Sequence, residues 1–254
     1  MELFFHIADI QQAASMTDTD IQQSLATAHH RMEMALVSAG RDPQGARLLA
    51  VSKTKPACML REAWQHGQRE FGENYVQEAL GKQAELADLE GIIWHFIGPL
   101  QSNKSRDVAE HFDWVHSVDR IRLARRLNSQ RPDSLAPLNV CIQVNVSGEG
   151  SKSGIALDAL IPLAEQVLAL PRLRLRGLMA IPAPAETLDA QRQPLAALHS
   201  AFIKLKKRFP DAPLDTLSMG MSSDLEAAII EGSTLVRLGT AIFGARDNYS
   251  GASQ

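Results

Sequence analysis

From Arg47 onward an apolar, β-rich run is followed by a helix-like stretch, over and over, and this rhythm restricts the fold more than any motif does. The pairs are Arg47–Lys53 with Ala57–His66, Glu70–Asn74 with Tyr75–Leu89, Ile92–Gly98 with Lys104–His111, and Trp114–Val118 with Arg120–Ser129. They continue as Leu138–Val146 with Leu157–Ala169, Leu173–Ile181 with Leu188–Arg208, and Thr216–Met219 with Ser223–Glu231, and Leu235–Phe243 supplies an eighth strand. A strand that returns through a helix pairs in parallel. Eight such units in about 200 residues predict an α/β chain folded as a single (β/α)8 TIM barrel. An open doubly wound sheet is the rival topology, because a linear pattern does not register closure. Ahead of the barrel, small and apolar residues at Leu25, Ala28, Met32, Met34, Ala35 and Leu36 predict an extra N-terminal helix over Ile21–Val37, ending before Gly40.

The pattern has no linker or low-complexity break, so residues 16–254 are expected to form one domain, with 1–15 an N-terminal extension; Met16, followed by Thr-Asp-Thr-Asp, offers a second start. A net charge of -3 supplies no basic field for nucleic acid or an anionic membrane. Only Cys58 and Cys141 occur, with no Cys/His ligand cluster, which argues for a reducing compartment and against a disulfide or zinc framework. The first ten residues lack a basic signal-peptide start and no apolar run reaches about 18 residues, so a cytoplasmic location is expected.

In a barrel of this kind the loops after the strands open on one face, where active sites sit. Leu48–Pro56 ends an apolar run in two lysines. Period-two alternation puts Leu49, Val51 and Lys53 on one face, aiming an ammonium where its neighbours are core. Such a lysine is paired, neutralised or covalently engaged with a carbonyl. Lys53 is therefore a candidate Schiff-base lysine, with Lys55 as a nearby charge able to lower its pKa. Ser218-Met-Gly-Met-Ser-Ser-Asp leads into a helix, and Leu238-Gly-Thr-Ala leaves Gly239 without a side chain beside Thr240. Together they suit a phosphate cradle after strands seven and eight. The plainer reading is a helix cap at Ser222 or Ser223 and packing relief at Gly239.

Arg237 shares a strand face with Gly239 and needs an acceptor if that face is inside; Glu73 or a heteroaromatic ring nitrogen can supply one. Asn74 suits a ligand hydroxyl or a turn, His95 reads as a packed strand histidine, and Lys152 as a solvated loop residue. The basic runs Arg120–Arg126 and Lys204–Arg208 read as outer helix faces.

Six ordered segments between Thr17 and Asp247 carry a family resemblance. They are Ala50-Val-Ser-Lys-Thr-Lys-Pro, Phe71-Gly-Glu-Asn-Tyr, Trp94-His-Phe-Ile-Gly-Pro-Leu-Gln-Ser-Asn-Lys, Gly177-Leu-Met-Ala-Ile, Ser218-Met-Gly-Met-Ser-x-Asp and Arg237-Leu-Gly-Thr-Ala-Ile-Phe-Gly. The chain resembles the pyridoxal phosphate homeostasis proteins (the YggS/PROSC family). The resemblance implies a barrel like the N-terminal domain of alanine racemase, holding pyridoxal 5′-phosphate (PLP) as a Schiff base on Lys53. It also implies Ser218, Ser222, Gly239 and Thr240 around the phosphate, Arg237 facing the pyridine nitrogen and Asn74 near the polar edge of the ring.

An arginine cannot take up the ring-nitrogen proton that strengthens the PLP electron sink, so weak or absent turnover is expected. Racemisation needs an acid/base group on each face of the substrate, which racemases of this barrel type complete with a second domain; here the chain ends soon after strand eight. The expected function is a monomeric PLP-binding protein that buffers the cofactor or delivers it to PLP-dependent apoenzymes in vitamin B6 homeostasis. The alternatives are a PLP-dependent amino-acid racemase or lyase, and a cofactor-free Schiff-base aldolase.

Overall fold

The computed structural model describes residues 20–147 and 153–245; the expected extension, the second start at Met16, and Lys152 lie outside them. The first helix, α1 (Ile21–Ser38), starts where Asp20 accepts the Gln23 N–H at 2.9 Å, an N-cap bond. It stops at Gly40, whose φ of 67° lets the Arg41 N–H turn back to the Leu36 carbonyl and the Gly40 N–H to Val37, a Schellman closure. Between these ends Ile21, Leu25, Ala28, Met32, Ala35 and Leu36 form the buried stripe.

Eight parallel strands then close in sequence order: β1 (Arg47–Val51), β2 (Glu70–Glu73), β3 (Ile93–Phe96), β4 (Trp114–Val118), β5 (Leu138–Gln143), β6 (Leu173–Met179), β7 (Thr216–Ser218) and β8 (Leu235–Leu238). The helices between them are α2 (Ala57–Gln65), α3 (Val76–Glu85), α4 (Ser105–His111), α5 (Ile121–Gln130), α6 (Leu160–Leu168), α7 (Leu188–Arg208) and α8 (Leu225–Ile230). The seam is the pairing of β1 with β8, Leu49 opposite Arg237 and Ala50 opposite Leu238. An open sheet is thereby excluded. None of these helices is long and apolar enough to cross a membrane.

Two expectations about strand ends are corrected. The eighth strand stops at Leu238, and Thr240–Phe243 forms a short helix, α9, because Gly239 turns the chain and its carbonyl takes the Ile242 and Phe243 N–H groups. The first strand stops at Val51, so Lys53 stands on a turn rather than on the strand.

Strand alternation sorts the core into two shells. Leu48, Ala50, Val140 and Leu178 join the apolar layer between sheet and helices. Trp114, Cys141 and Met179 fill the barrel itself, with Ile93 against them. His95 and His116 follow Ile93 and Trp114 by two residues and so share the inner face, one layer nearer the strand C-termini.

Candidate functional site

Lys53 sits in the tight turn Ser52–Lys55, closed by the Lys55 N–H donating to the Ser52 carbonyl at 3.1 Å. The lysine is half-buried, and Thr54 beside it holds a φ of 64°, a left-handed conformation uncommon for a β-branched residue. The Thr54 N–H donates to Glu78 Oε1 at 2.5 Å. Lys55, expected to act as a charge beside Lys53, is buried and donates its Nζ to the Ala245 carbonyl at 2.5 Å, tying the turn to the residues after α9.

The residues expected to cradle an anion leave the barrel where the exits of β7, β8 and β1 meet. The Arg237 N–H donates to the Gly220 carbonyl at 2.9 Å, which lays the exit of β7 along β8. Gly220 has a φ of 96°, and a Cβ there would lie 2.6 Å from that of Ala228. At the seam a Cβ on Gly239 would lie 3.1 Å from the Val51 carbonyl oxygen, so the missing side chain lets β8 end against the strand that leads to Lys53. Ser222 is half-buried in the turn before α8, Thr240 is exposed, and the first-turn N–H groups of α9 have no partner within the helix. Barrel order thus sets Ser222, Gly239 and Thr240, Lys53 and Asn74 along one arc of the rim, at the ends of β7, β8, β1 and β2. Asn74 presents a buried Oδ1 without a hydrogen-bond partner and borders a cavity of about 380 Å³ lined also by Tyr75, Phe96, Leu100 and Lys104. A roomier cleft of about 570 Å³ lies at the other end of the barrel among Pro137, Leu173, Arg174 and Phe209, away from this chemistry.

Beneath the rim a polar column crosses the barrel. Arg237 is buried; its Nη1 donates to Ser218 Oγ at 2.7 Å and its Nη2 to the Ala180 carbonyl at 2.9 Å. Glu73, one of the acceptors expected for Arg237, points instead to the outer shell, where it takes the Ser52 hydroxyl at 2.6 Å and the Lys82 ammonium at 2.7 Å. Ser218, expected at a phosphate, is fully buried and already engaged by Arg237 and by His116 Nδ1 at 2.8 Å. His116 Nε2 meets His95 Nδ1 at 2.9 Å, and His95 Nε2 lies 3.2 Å from Glu70 Oε2, close but poorly aligned for a hydrogen bond. With Ser218 accepting from Arg237 and giving its proton to His116, each histidine carries its proton on Nε2, the tautomer under which Ser218, His116 and His95 donate in sequence.

Burial pushes both histidines below their ordinary pKa, His116 furthest because His95, Arg237 and Arg47 add to it. Burial would raise the Glu70 carboxyl, but the contacts with His95 and Arg47 outweigh it and hold it lowered. Desolvation pushes Arg237 down to about 10, so it stays charged at neutral pH. His95, between Trp94 and Phe96 in sequence, is thus a packed interior histidine, as expected. The residue that sequence reasoning missed is Lys82. Its signal was its place on the buried stripe of α3 with Val76 and Ala79, three residues apart.

The residue types at this rim would suit a phosphorylated carbonyl compound: an amine at Lys53, a glycine and hydroxyls at Gly239, Thr240 and Ser222, and the unsatisfied Asn74 Oδ1 at the next strand end. The family model for the alanine racemase N-terminal domain matches residues 23–247. The pyridoxal phosphate homeostasis protein of Pseudomonas aeruginosa is 62% identical over 92% of this chain and 99% of its own, and that of Escherichia coli 58% identical over 90% and 97%. Among solved structures, PipY of Synechococcus elongatus with PLP bound is 41% identical, with a TM-score of 0.75 over 84% of this chain and 100% of that one. Alanine racemase from Corynebacterium glutamicum, at 16% identity and a TM-score of 0.61 over 89% of this chain and 62% of that one, shares the fold. The extent of these matches, over a closed barrel with this rim, shows that the chain belongs to the pyridoxal phosphate homeostasis proteins, built on the alanine racemase N-terminal domain.

Proposed function

We propose that this protein binds PLP in the cytoplasm and holds it reversibly on Lys53, buffering the cofactor and releasing it to PLP-dependent apoenzymes as a monomer. The observation that carries this reading is the seam between β1 and β8, which sets Gly239 against the Val51 carbonyl, two residues before Lys53. A primary amine condenses with the PLP aldehyde, forming a C=N bond and releasing water; hydrolysis reverses it. Gly239, Thr240 and Ser222 would receive the phosphate, and Asn74 would meet the polar edge of the ring. Two relatives named for pyridoxal phosphate homeostasis, and a neighbour whose structure has PLP bound, support the ligand.

PLP supplies an electron sink when its ring nitrogen carries a proton. Arg237 can only donate to that nitrogen, and both ring nitrogens of His116 are engaged within the column, by Ser218 and His95, which argues for holding the cofactor over amino-acid turnover. The test is to load the purified protein with PLP, reduce it with borohydride and map the added mass. A PLP-sized mass on the Lys53 peptide, with no deuterium exchange at the α-carbon across an amino-acid panel, is expected. A mass on another residue, or clear exchange, overturns it.

A further inference from the structure

We propose that Lys82 is a positioning residue for Lys53, an inference that rests on the reading of Lys53 as the cofactor lysine. The turn that carries Lys53 contains a β-branched residue in the left-handed region, a conformation that persists only when its surroundings over-determine it. Two carboxylates do this: Glu73 takes the Ser52 hydroxyl, and Glu78 takes the Thr54 N–H. Lys82 joins them. Its buried Nζ donates to Glu73 Oε1 at 2.7 Å, to Glu78 Oε1 at 2.6 Å and to the Ser52 carbonyl at 2.7 Å, which uses all three ammonium protons. The ammonium therefore holds Ser52 directly and Thr54 through Glu78, the residues on either side of Lys53.

Stability does not explain this arrangement. A buried ion pair contributes little over apolar residues of similar shape. Glu73 also keeps its Oε2 buried without a partner, and burial raises its pKa against the opposing effects of Lys82 and Ser52. What the cluster provides is direction: it reaches from α3 across to the turn and fixes the backbone from which the amine is presented.

The double variant Glu73→Leu/Lys82→Met removes the buried charges together, and Glu78→Ala, at a partly exposed site, breaks the Thr54 contact and the link from Lys82 to it. Three measurements apply: amide hydrogen exchange over Val51–Pro56 in the cofactor-free protein, the rate of adduct formation on Lys53, and affinity for pyridoxine 5′-phosphate, which lacks the aldehyde. In the double variant the Thr54 amide should exchange faster and adduct formation should slow roughly tenfold or more. Its melting temperature and pyridoxine 5′-phosphate affinity should stay close to wild type. Wild-type exchange and adduct rates in the double variant overturn the proposal; should that variant fail to fold, a wild-type adduct rate in Glu78→Ala, which cuts the link from Lys82 to Thr54, overturns it instead. Absence of an adduct on Lys53 in the wild-type protein would instead remove the cofactor reading, with the exchange data still reporting on the turn.

Discussion

The Arg237 guanidinium donates to Ser218 Oγ at 2.7 Å beneath the rim, and among the described residues that buried cation forms no ion pair. Its charge is carried by neutral acceptors, a hydroxyl and the Ala180 carbonyl. Ser218→Ala removes one of them and should lower stability by about 1–3 kcal/mol, read from the urea midpoint. Affinity for PLP should change by less than about twofold, or less than about 0.4 kcal/mol. A loss as large as that of Thr240→Ala would put Ser218 at the phosphate after all.

Covalent and phosphate contributions separate at Lys53 and Thr240. Lys53→Ala should abolish the borohydride-fixed mass and the yellow colour while retaining part of the affinity. Thr240→Ala should weaken binding by roughly tenfold, the effect of one hydrogen bond to a charged group, yet still form the adduct at saturating PLP. Equilibrium dialysis and mass mapping on both variants check this; equal losses would undercut the division of roles.

Gly220 is held by backbone conformation and by space, with φ at 96° and the Ala228 methyl 2.6 Å from where a Cβ would stand. Gly220→Ala should destabilise the protein by about 2–5 kcal/mol through strain and overpacking. Chemical denaturation measures it, and an effect near zero would show that the loop between β7 and α8 is not held there.

The neutral histidine pair makes stability sensitive to mild acid. His95 and His116 have folded pKa values below 6.5, so under acid the unfolded chain binds protons that the folded chain does not. Their contribution is complete above pH 6.5 and is lost as pH falls toward the folded values, by up to about 1.4 kcal/mol per pH unit for each histidine. Glu73 acts in the opposite sense, because its raised pKa gives stability that is lost as pH rises through its folded value. The clean readout is therefore a difference: His116→Gln should flatten the melting-temperature profile between pH 5 and 6.5 relative to wild type. Parallel profiles would mean that His116 is not held neutral.

The alternation of apolar runs and helical stretches determined the eight strands, their parallel sense and the residues at each exit, because period and turn chemistry are local properties. Asp20 and Gly40 marked the ends of α1 in the same way. Depth and partner choice were not legible. Parity assigned Arg237 to the inner face but could not say that Ser218 and Ala180, rather than Glu73, would receive it. Nor could it place Lys82 under the Lys53 turn, since that contact joins a helix to a loop 30 residues earlier. Closure decided the rest. Only the pairing of β1 with β8 carries Gly239 to the Val51 carbonyl and makes one rim from residues at opposite ends of the chain, because hydrogen bonding between edge strands is satisfied only once the sheet has curled onto itself.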